Sequence, residues 1–426
     1  MVRLLPLAAV LAIVAALAPV PRPAIADDKA PASAPPAGFF FQPNERIVFL
    51  GDSITEQYQY SSYIELYLTT RFPTGNMTFL NAGIGGDTAN GGAGRFKAQV
   101  LDEKPTAVTI NFGMNDGGYG KFNPGANKTF VEKTEAMLKM AKDAGVRVAL
   151  LSPNAVDRRN KSNGAEYVVT QKQFYAPLAG IAEKFGFPFV DQYAITKAAT
   201  DRMEEDDPKA KKAVPYPDGF HTAAPGGLLM AHAILTGLKA PAAVSSVTID
   251  AAGGGKATAV GAEVAGIEVG NGVRFTRTDA ALPMPVQKDW VPMLPYTNEL
   301  RDLNLYGLAV KGLAAGDYAV LVDGKDVGKF SAKQLADGVN LGTATAGPVW
   351  EQGNKVLQAI TDKNKIVHGR FRGILLGGDQ YWNTAAGQQR RAAELATRRA
   401  DIDAAQAEVY KLAAPVPHAW EVRPVQ

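Results

Sequence analysis

The chain has 426 residues, 46% of them apolar, and a formal net charge of +3; this is enough for one large domain plus a smaller one, and it excludes global disorder. So nearly neutral a balance gives no overall attraction to nucleic acid or acidic lipid. Cysteine is absent, so disulfides and thiolate chemistry are excluded, and any metal site would need His, Asp or Glu ligands.

At the amino terminus Arg3 precedes an apolar stretch from Leu4 to Val20, and Ala24-Ile25-Ala26 offers small residues to signal peptidase. Residues 1–26 therefore read as a cleavable secretory signal, with an uncleaved anchor as the alternative. Losing them removes Arg3 and Arg22 and leaves a charge of about +1. No later segment has the roughly 18 unbroken apolar residues of a spanning helix. The expected location is secreted or periplasmic, with no stable membrane insertion once the signal is gone. Residues 27–44, rich in Ala and Pro, read as an extended leader.

Strands and helices then alternate. The apolar runs Ile47 to Leu50, Met77 to Leu80, Val108 to Phe112, Val146 to Leu151 and Pro188 to Val190 predict five strands. Helix-length segments fall near 60–70, 88–101, 128–143 and 169–185. The third places Phe130, Thr134, Met137, Leu138 and Ala141 on one face, and Gly145 closes it. A last helix runs from about Ala224 to Leu238. Strict alternation implies right-handed crossovers and a mostly parallel five-stranded sheet covered on both faces, a three-layer α/β/α unit over residues 45–238. Met203 to Lys212, acidic then basic, reads as a solvated connector.

Beyond residue 240 the texture changes. Val244 to Ile249, Ala257 to Val260 and Gly266 to Val269 are short strand-like runs among glycines. Tyr306 to Val310, Tyr318 to Val322 and an Asp323-Gly324 turn add further strands and a hairpin. Residues 240–345 thus predict a small antiparallel β domain. The rest, 346–426, is helical: Pro348 opens a helix with Val349, Val356, Leu357 and Ile360 inward, and Gln388 to Leu412 packs by one stripe of Leu395, Ile402 and Val409.

Four short blocks carry candidate chemistry. Gly51-Asp52-Ser53 ends the first strand and puts a hydroxyl where open α/β sheets place their ligands, although such triplets also make ordinary turns. Asn81-Ala-Gly-Ile-Gly-Gly-Asp-Thr88 ends the second. It lacks the glycine spacing of a dinucleotide fingerprint, but offers small residues and backbone N–H groups suited to a developing negative charge. In Asn111-Phe-Gly-Met-Asn-Asp-Gly117, an amide at Asn115 can donate without changing protonation state; taken alone, Asn115 and Asp116 read equally as turn caps. Asp218-Gly-Phe-His221 supplies a base with a carboxylate one turn away to hold its other nitrogen. Of the other three histidines, His232 sits in an apolar helix, and neither His368 nor His418 has a carboxylate three residues before it.

In this order the blocks resemble the SGNH, or GDSL, hydrolase family, over roughly residues 45–238. The resemblance implies Ser53 as nucleophile, His221 as general base and then acid, and Asp218 as its orienting carboxylate. It implies an oxyanion hole made by the Ser53 and Gly86 N–H groups and the Asn115 amide. One departure is Gly-Met-Asn-Asp, where many members have a second small residue near the glycine. The expected enzyme is a carboxylic ester hydrolase acting through an acyl-enzyme, with no cofactor and no metal. Its expected substrate is an acylated small molecule or polysaccharide, because exported relatives with an extra β domain often remove acetyl groups from carbohydrate. A lipase or acylhydrolase, or an O-acyltransferase with the same triad, is the alternative. Tyr58 and Tyr60 are expected to border the cleft, and Tyr63 and Tyr67 to pack a helix on the sheet. Trp290, Trp350 and Trp382 read as core before they read as sugar platforms.

Overall fold

The computed structural model describes residues 35–160, 166–377 and 384–425. The expected signal, most of the leader and Trp382 lie outside the described residues. Five parallel strands form the central sheet: β1 (Arg46–Gly51), β2 (Thr78–Gly83), β3 (Ala107–Asn111), β4 (Arg147–Leu151) and β5 (Phe189–Val190), in spatial order β2-β1-β3-β4-β5. The strand order reverses beside β1, so its carboxyl end opens at a topological switch point, where such sheets place ligands. The short α1 (Ser53–Glu56) and α2 (Gln59–Arg71) follow β1. Around the sheet lie α3 (Ala89–Gln99), α4 (Pro124–Asp143), α5 (Tyr167–Tyr175), α6 (Leu178–Phe185), α7 (Gln192–Asp206) and α8 (Ala224–Gly237).

Three of these differ from the sequence reading. The expected 169–185 helix is two, because Pro177 interrupts it and becomes the cap of α6. Helix α4 starts earlier, where Asn123 accepts from the Gly125 and Ala126 N–H groups ahead of Pro124. Helix α7 was not expected at all, yet Asp191 caps it by accepting from Ala194. It takes up the first part of the supposed 203–212 connector. The end of the leader is also built into the core: Phe39 packs edge-on against Tyr67 at 6.5 Å.

The β region holds two sheets. One contains β6 (Ala243–Asp250), β7 (Lys256–Val260), β10 (Leu305–Lys311) and β13 (Val339–Asn340). The other contains β8 (Ala262–Val269), β9 (Val273–Asp279), β11 (Asp317–Val322), β12 (Lys325–Ser331) and β14 (His418–Pro424). Every pairing is antiparallel except β6 with β10. The long stretch between β9 and β10, with the one-turn α9 (Glu299–Asp302), carries the chain back to β6 in parallel sense. Helix α10 (Ala332–Asp337) links β12 to β13. Strand β14 comes from the segment read as wholly helical; its Trp420 and Val422 are buried in the β core.

The carboxyl-terminal helices α11 (Pro348–His368) and α12 (Ala385–Ala413) pack on the α/β/α unit. Val356, Ile360, Ile402 and Val409 join its core, as does Trp290. Glu65 of α2 and Lys363 of α11 form a buried ion pair at 2.5 Å, and Asn364 Nδ2 donates to Ser62 Oγ at 3.0 Å. The outer side of α2 is thus covered by a helix some 300 residues downstream. No helix among the described residues is long and apolar enough to cross a membrane.

Candidate active site

Strand β1 ends at Gly51 and hands the chain to Ser53 through Asp52. The Asp52 Oδ1 accepts from the Ile54 N–H at 2.9 Å, the cap that an Asp before a first helical turn makes. This turn presses on β2: a Cβ on Gly83 would come within 2.2 Å of the Glu56 nitrogen, so the close approach requires glycine. Asn81 stitches the two together, donating to the Thr55 carbonyl at 2.7 Å and accepting from the Gly83 N–H at 2.9 Å.

His221 arrives on the loop before α8. Its Nε2 lies 2.7 Å from Ser53 Oγ, and its Nδ1 lies 2.6 Å from Asp218 Oδ2. A carboxylate only accepts, so Nδ1 carries the proton and donates to Asp218, and Nε2 accepts from the Ser53 hydroxyl. The other Asp218 oxygen accepts from the N–H groups of Phe220 at 3.1 Å and His221 at 2.8 Å. Burial pushes the Asp218 carboxyl up, but the hydrogen bonds from the His221 ring and these two N–H groups outweigh it and hold it below the usual carboxylate range.

This loop is strapped from two sides. Gln57, one turn after Ser53, accepts from both the N–H and the hydroxyl of Thr222 at 3.1 and 3.0 Å. On the far side the Gly219 carbonyl accepts from the Asp157 N–H at 2.7 Å, and Asn154 donates to the Phe220 carbonyl at 3.2 Å. A buried Asp157–Arg159 pair at 2.7 Å anchors that strap, and Arg159 also donates to the Ala213 carbonyl at 2.8 Å. Residues 207–213 close into a turn, with the Asp207 carboxylate accepting from the Lys211, Lys212 and Ala213 N–H groups.

Around the residues expected to form the oxyanion hole, the Tyr119 hydroxyl donates to Asn115 Oδ1 at 2.7 Å, and Asn115 Nδ2 donates to the Asp87 carbonyl at 2.9 Å. The amide is thereby oriented, with one of its two protons uncommitted. Gly86, next to Asp87, is exposed at φ +75°, a left-handed conformation that suits glycine. Asp116 accepts from the N–H groups of Ala89 at 2.9 Å and Gly113 at 3.0 Å, joining the two loops. Burial, against those two bonds, pushes its carboxyl up to about 6. Burial likewise raises Asp52 to about 7, against the Ile54 bond. Tyr119 is shifted upward by burial and then by the charges of Asp52 and Asp218, so it stays a donor.

The structure therefore joins Ser53, Asp218 and His221 in one hydrogen-bond chain and ties Asn115 to the loop that carries Gly86. Two other histidines also pair with aspartates: His232 Nε2 with Asp302 at 3.1 Å and His418 Nδ1 with Asp323 at 2.7 Å. In both, the second ring nitrogen is buried without a partner among the described residues. Only in the His221 pair does that nitrogen meet a serine. Tyr58, expected to border the cleft, is half-buried and stands against His368 with ring centroids 5.9 Å apart. Tyr60, expected there too, is instead wholly buried, with its hydroxyl 2.8 Å from Thr55 Oγ1. Gln57, Asn154 and Tyr119 escaped the sequence reading. The first two act on residues 165 and 66 positions away, where no local pattern points; the four-residue spacing of Asn115 and Tyr119 was the one available signal. Among the described residues no cluster of three or more His, Asp or Glu side chains has the arrangement of a metal site.

Residues 49–226 match the model of the GDSL-like Lipase/Acylhydrolase family. An arylesterase of Vibrio mimicus is 30% identical over 161 residues, which are 37% of this chain and 76% of that protein. The esterase TesA of Pseudomonas aeruginosa is 38% identical over 72 residues, 17% of this chain and 34% of that protein. The solved structure of a gut microbial diltiazem-metabolizing enzyme superposes with a TM-score of 0.77 at 23% identity, covering 90% of this chain and 98% of that one. The likeness of fold thus extends through the β region and the carboxyl-terminal helices.

Proposed function

Since the chain belongs to the GDSL-like lipase/acylhydrolase family and is a carboxylic ester hydrolase, we propose that it is an exported serine esterase that removes short acyl groups, acetyl foremost, from carbohydrate. The observation that carries the mechanism is the Asp218–His221–Ser53 hydrogen-bond chain at 2.6 and 2.7 Å. His221 takes the Ser53 proton as Oγ attacks the ester carbonyl, and Asp218 holds the imidazole in the required tautomer and stabilises its charged form. The tetrahedral oxyanion accepts from the Ser53 and Gly86 N–H groups and the free Asn115 amide proton; each such donor contributes on the order of 10² to 10³ in turnover. His221 then protonates the departing alcohol. Water, deprotonated by the same ring, releases the acyl group from Ser53. Export is supported by the signal-like pattern of residues 1–26. A carbohydrate carrier is supported by the joining, in one chain, of a signal-like amino terminus and a β region to the α/β/α unit, a combination common among carbohydrate esterases.

The test is acetate release from acetylated plant, algal and bacterial polysaccharides by the wild-type protein and by Ser53→Ala. Release from at least one of them, reduced roughly 10⁴-fold or more in the variant, is expected. Undiminished release by Ser53→Ala would remove the nucleophile assignment, and release from none would remove the substrate class.

A further inference from the structure

Beside the nucleophile segment lies a cleft of about 420 Å³, within the size range of small-ligand sites. One wall is the start of α2 and the turn before it; the other is the exposed end of α11. Gln57 links this cleft directly to the chemistry. Its N–H donates to the Ser53 carbonyl at 3.0 Å, and its side chain holds Thr222, the residue after the base. A second link runs to the Gly86 loop: Arg372, just past α11, pairs with Glu56 at 3.0 Å, and Glu56 accepts from the Gly85 N–H at 2.6 Å.

The lining is chemically specific. Gln59 offers an amide that both donates and accepts, Gln57 the nitrogen of an amide whose oxygen holds Thr222, and Asn364 the oxygen of one whose nitrogen donates to Ser62. Tyr58, half-buried, offers part of its ring, and His368 stands against it with ring centroids 5.9 Å apart, while Tyr63 is buried behind them against Trp290. The Tyr58 hydroxyl is buried with no partner among the described residues, an exception to the rule that buried polar atoms are satisfied. Tyr58 is also held at φ +61°, a conformation rare for a bulky residue. Lys365 on the rim is matched by Asp362 at 2.7 Å, so the cleft presents no uncompensated lysine to attract an anion. Amides beside the Tyr58 and His368 rings suit a neutral polyhydroxylated ring, whose hydroxyls take the hydrogen bonds and whose C–H face lies on an aromatic edge.

We propose that this cleft between α2 and α11 is the carrier subsite, holding the sugar from which Ser53 removes the acyl group. The proposal rests on the carbohydrate reading above and adds where the carrier binds and which part of the chain selects it. The carboxyl-terminal helix is then a specificity element, seated on the catalytic unit by the buried Glu65–Lys363 pair.

Thr361, exposed on α11 and lining the cleft, tests this without touching the catalytic groups. Thr361→Trp fills the cleft; Thr361→Ser leaves it open. On an acetylated xylo-oligosaccharide, Thr361→Trp is expected to lower kcat/KM at least tenfold, mainly through KM, with Thr361→Ser near wild type. On 4-nitrophenyl acetate, which has no sugar to place, both variants are expected within twofold of wild type. Equal effects on the two substrates, or none on the oligosaccharide, would overturn the subsite while leaving the carbohydrate reading intact. A wild-type protein that cleaves the aryl ester but no acetylated oligosaccharide would overturn both.

Discussion

In the α/β/α unit the buried Asp52 has one backbone donor, the Ile54 N–H, and sits beside a polar chain that ends at the Ser53 hydroxyl. In the β region the buried Asp279 is enclosed. It accepts from Arg277 Nε at 2.8 Å, Ser245 Oγ at 2.6 Å and the Tyr306 hydroxyl at 2.6 Å. Arg277 in turn donates to Ser245 Oγ at 2.8 Å and the Gly307 carbonyl at 3.1 Å, and its guanidinium lies 4.1 Å from the Tyr306 ring centre. The second cluster closes on itself, whereas the α/β/α unit leaves one Asn115 amide proton uncommitted. Buried polarity that satisfies itself braces a fold, and polarity left open is available to a substrate. The histidines divide differently: His221 goes on from Asp218 to a serine, whereas His232 and His418 find no partner for the second ring nitrogen among the described residues.

The contrast breaks if the closed cluster matters for chemistry. Arg277→Leu leaves the buried Asp279 charge with hydroxyl donors but no cationic partner and is expected to cost about 3–5 kcal/mol of unfolding free energy, read by denaturant titration. Its kcat/KM on 4-nitrophenyl acetate, measured well below the unfolding transition, is expected within twofold of wild type. Comparable losses in both quantities would mean that the β region is not merely a brace.

The open side carries a cost that pH reveals. Asp52 is raised from 3.8 to about 7, first by burial, so the folded chain keeps a proton that the unfolded chain releases between those values. Stability from this group is therefore greatest in acid and is lost as pH rises from about 4 to 7, by up to about 4 kcal/mol. Asp52→Asn keeps an acceptor for the Ile54 N–H but cannot titrate. Its unfolding free energy relative to wild type is expected to rise across that window; a constant difference would contradict the shift. A smaller effect is expected from Tyr119→Phe, which frees Asn115 Oδ1 without removing the amide donor. A fall in kcat of roughly tenfold with KM little changed follows from a loosened oxyanion donor. A change in KM alone would point to substrate contact instead.

Much of the α/β/α unit was legible because its signals are local. Apolar runs end in Gly-Asp-Ser and Asn-Phe-Gly-Met-Asn, and Asp218 sits one turn from His221, so strand ends and candidate groups can be read within a few residues of each other. What escaped depends on pairings across the chain. Nothing near Gln57 announces Thr222, nothing in α11 announces that it faces Tyr58, and the parallel pairing of β6 with β10 needs the path of the chain between them. Strand β14 was hidden for a related reason: residues 418–424 resemble a tail until β9 and β11 are in place to flank them. Tyr60 was misplaced because closeness to Ser53 in sequence was taken as closeness to the cleft, whereas the first turn of α2 points that ring inward, 6.2 Å from Phe49.

The central claim is that Ser53, and no other hydroxyl, is the activated nucleophile. Labelling the folded protein with a fluorophosphonate and mapping the adduct by peptide mass spectrometry tests it most directly. One adduct per chain, on the peptide containing Ser53 and absent from Ser53→Ala and strongly slowed in His221→Ala, is the predicted result; stoichiometric labelling at any other residue, or none at Ser53 in an active preparation, would contradict it.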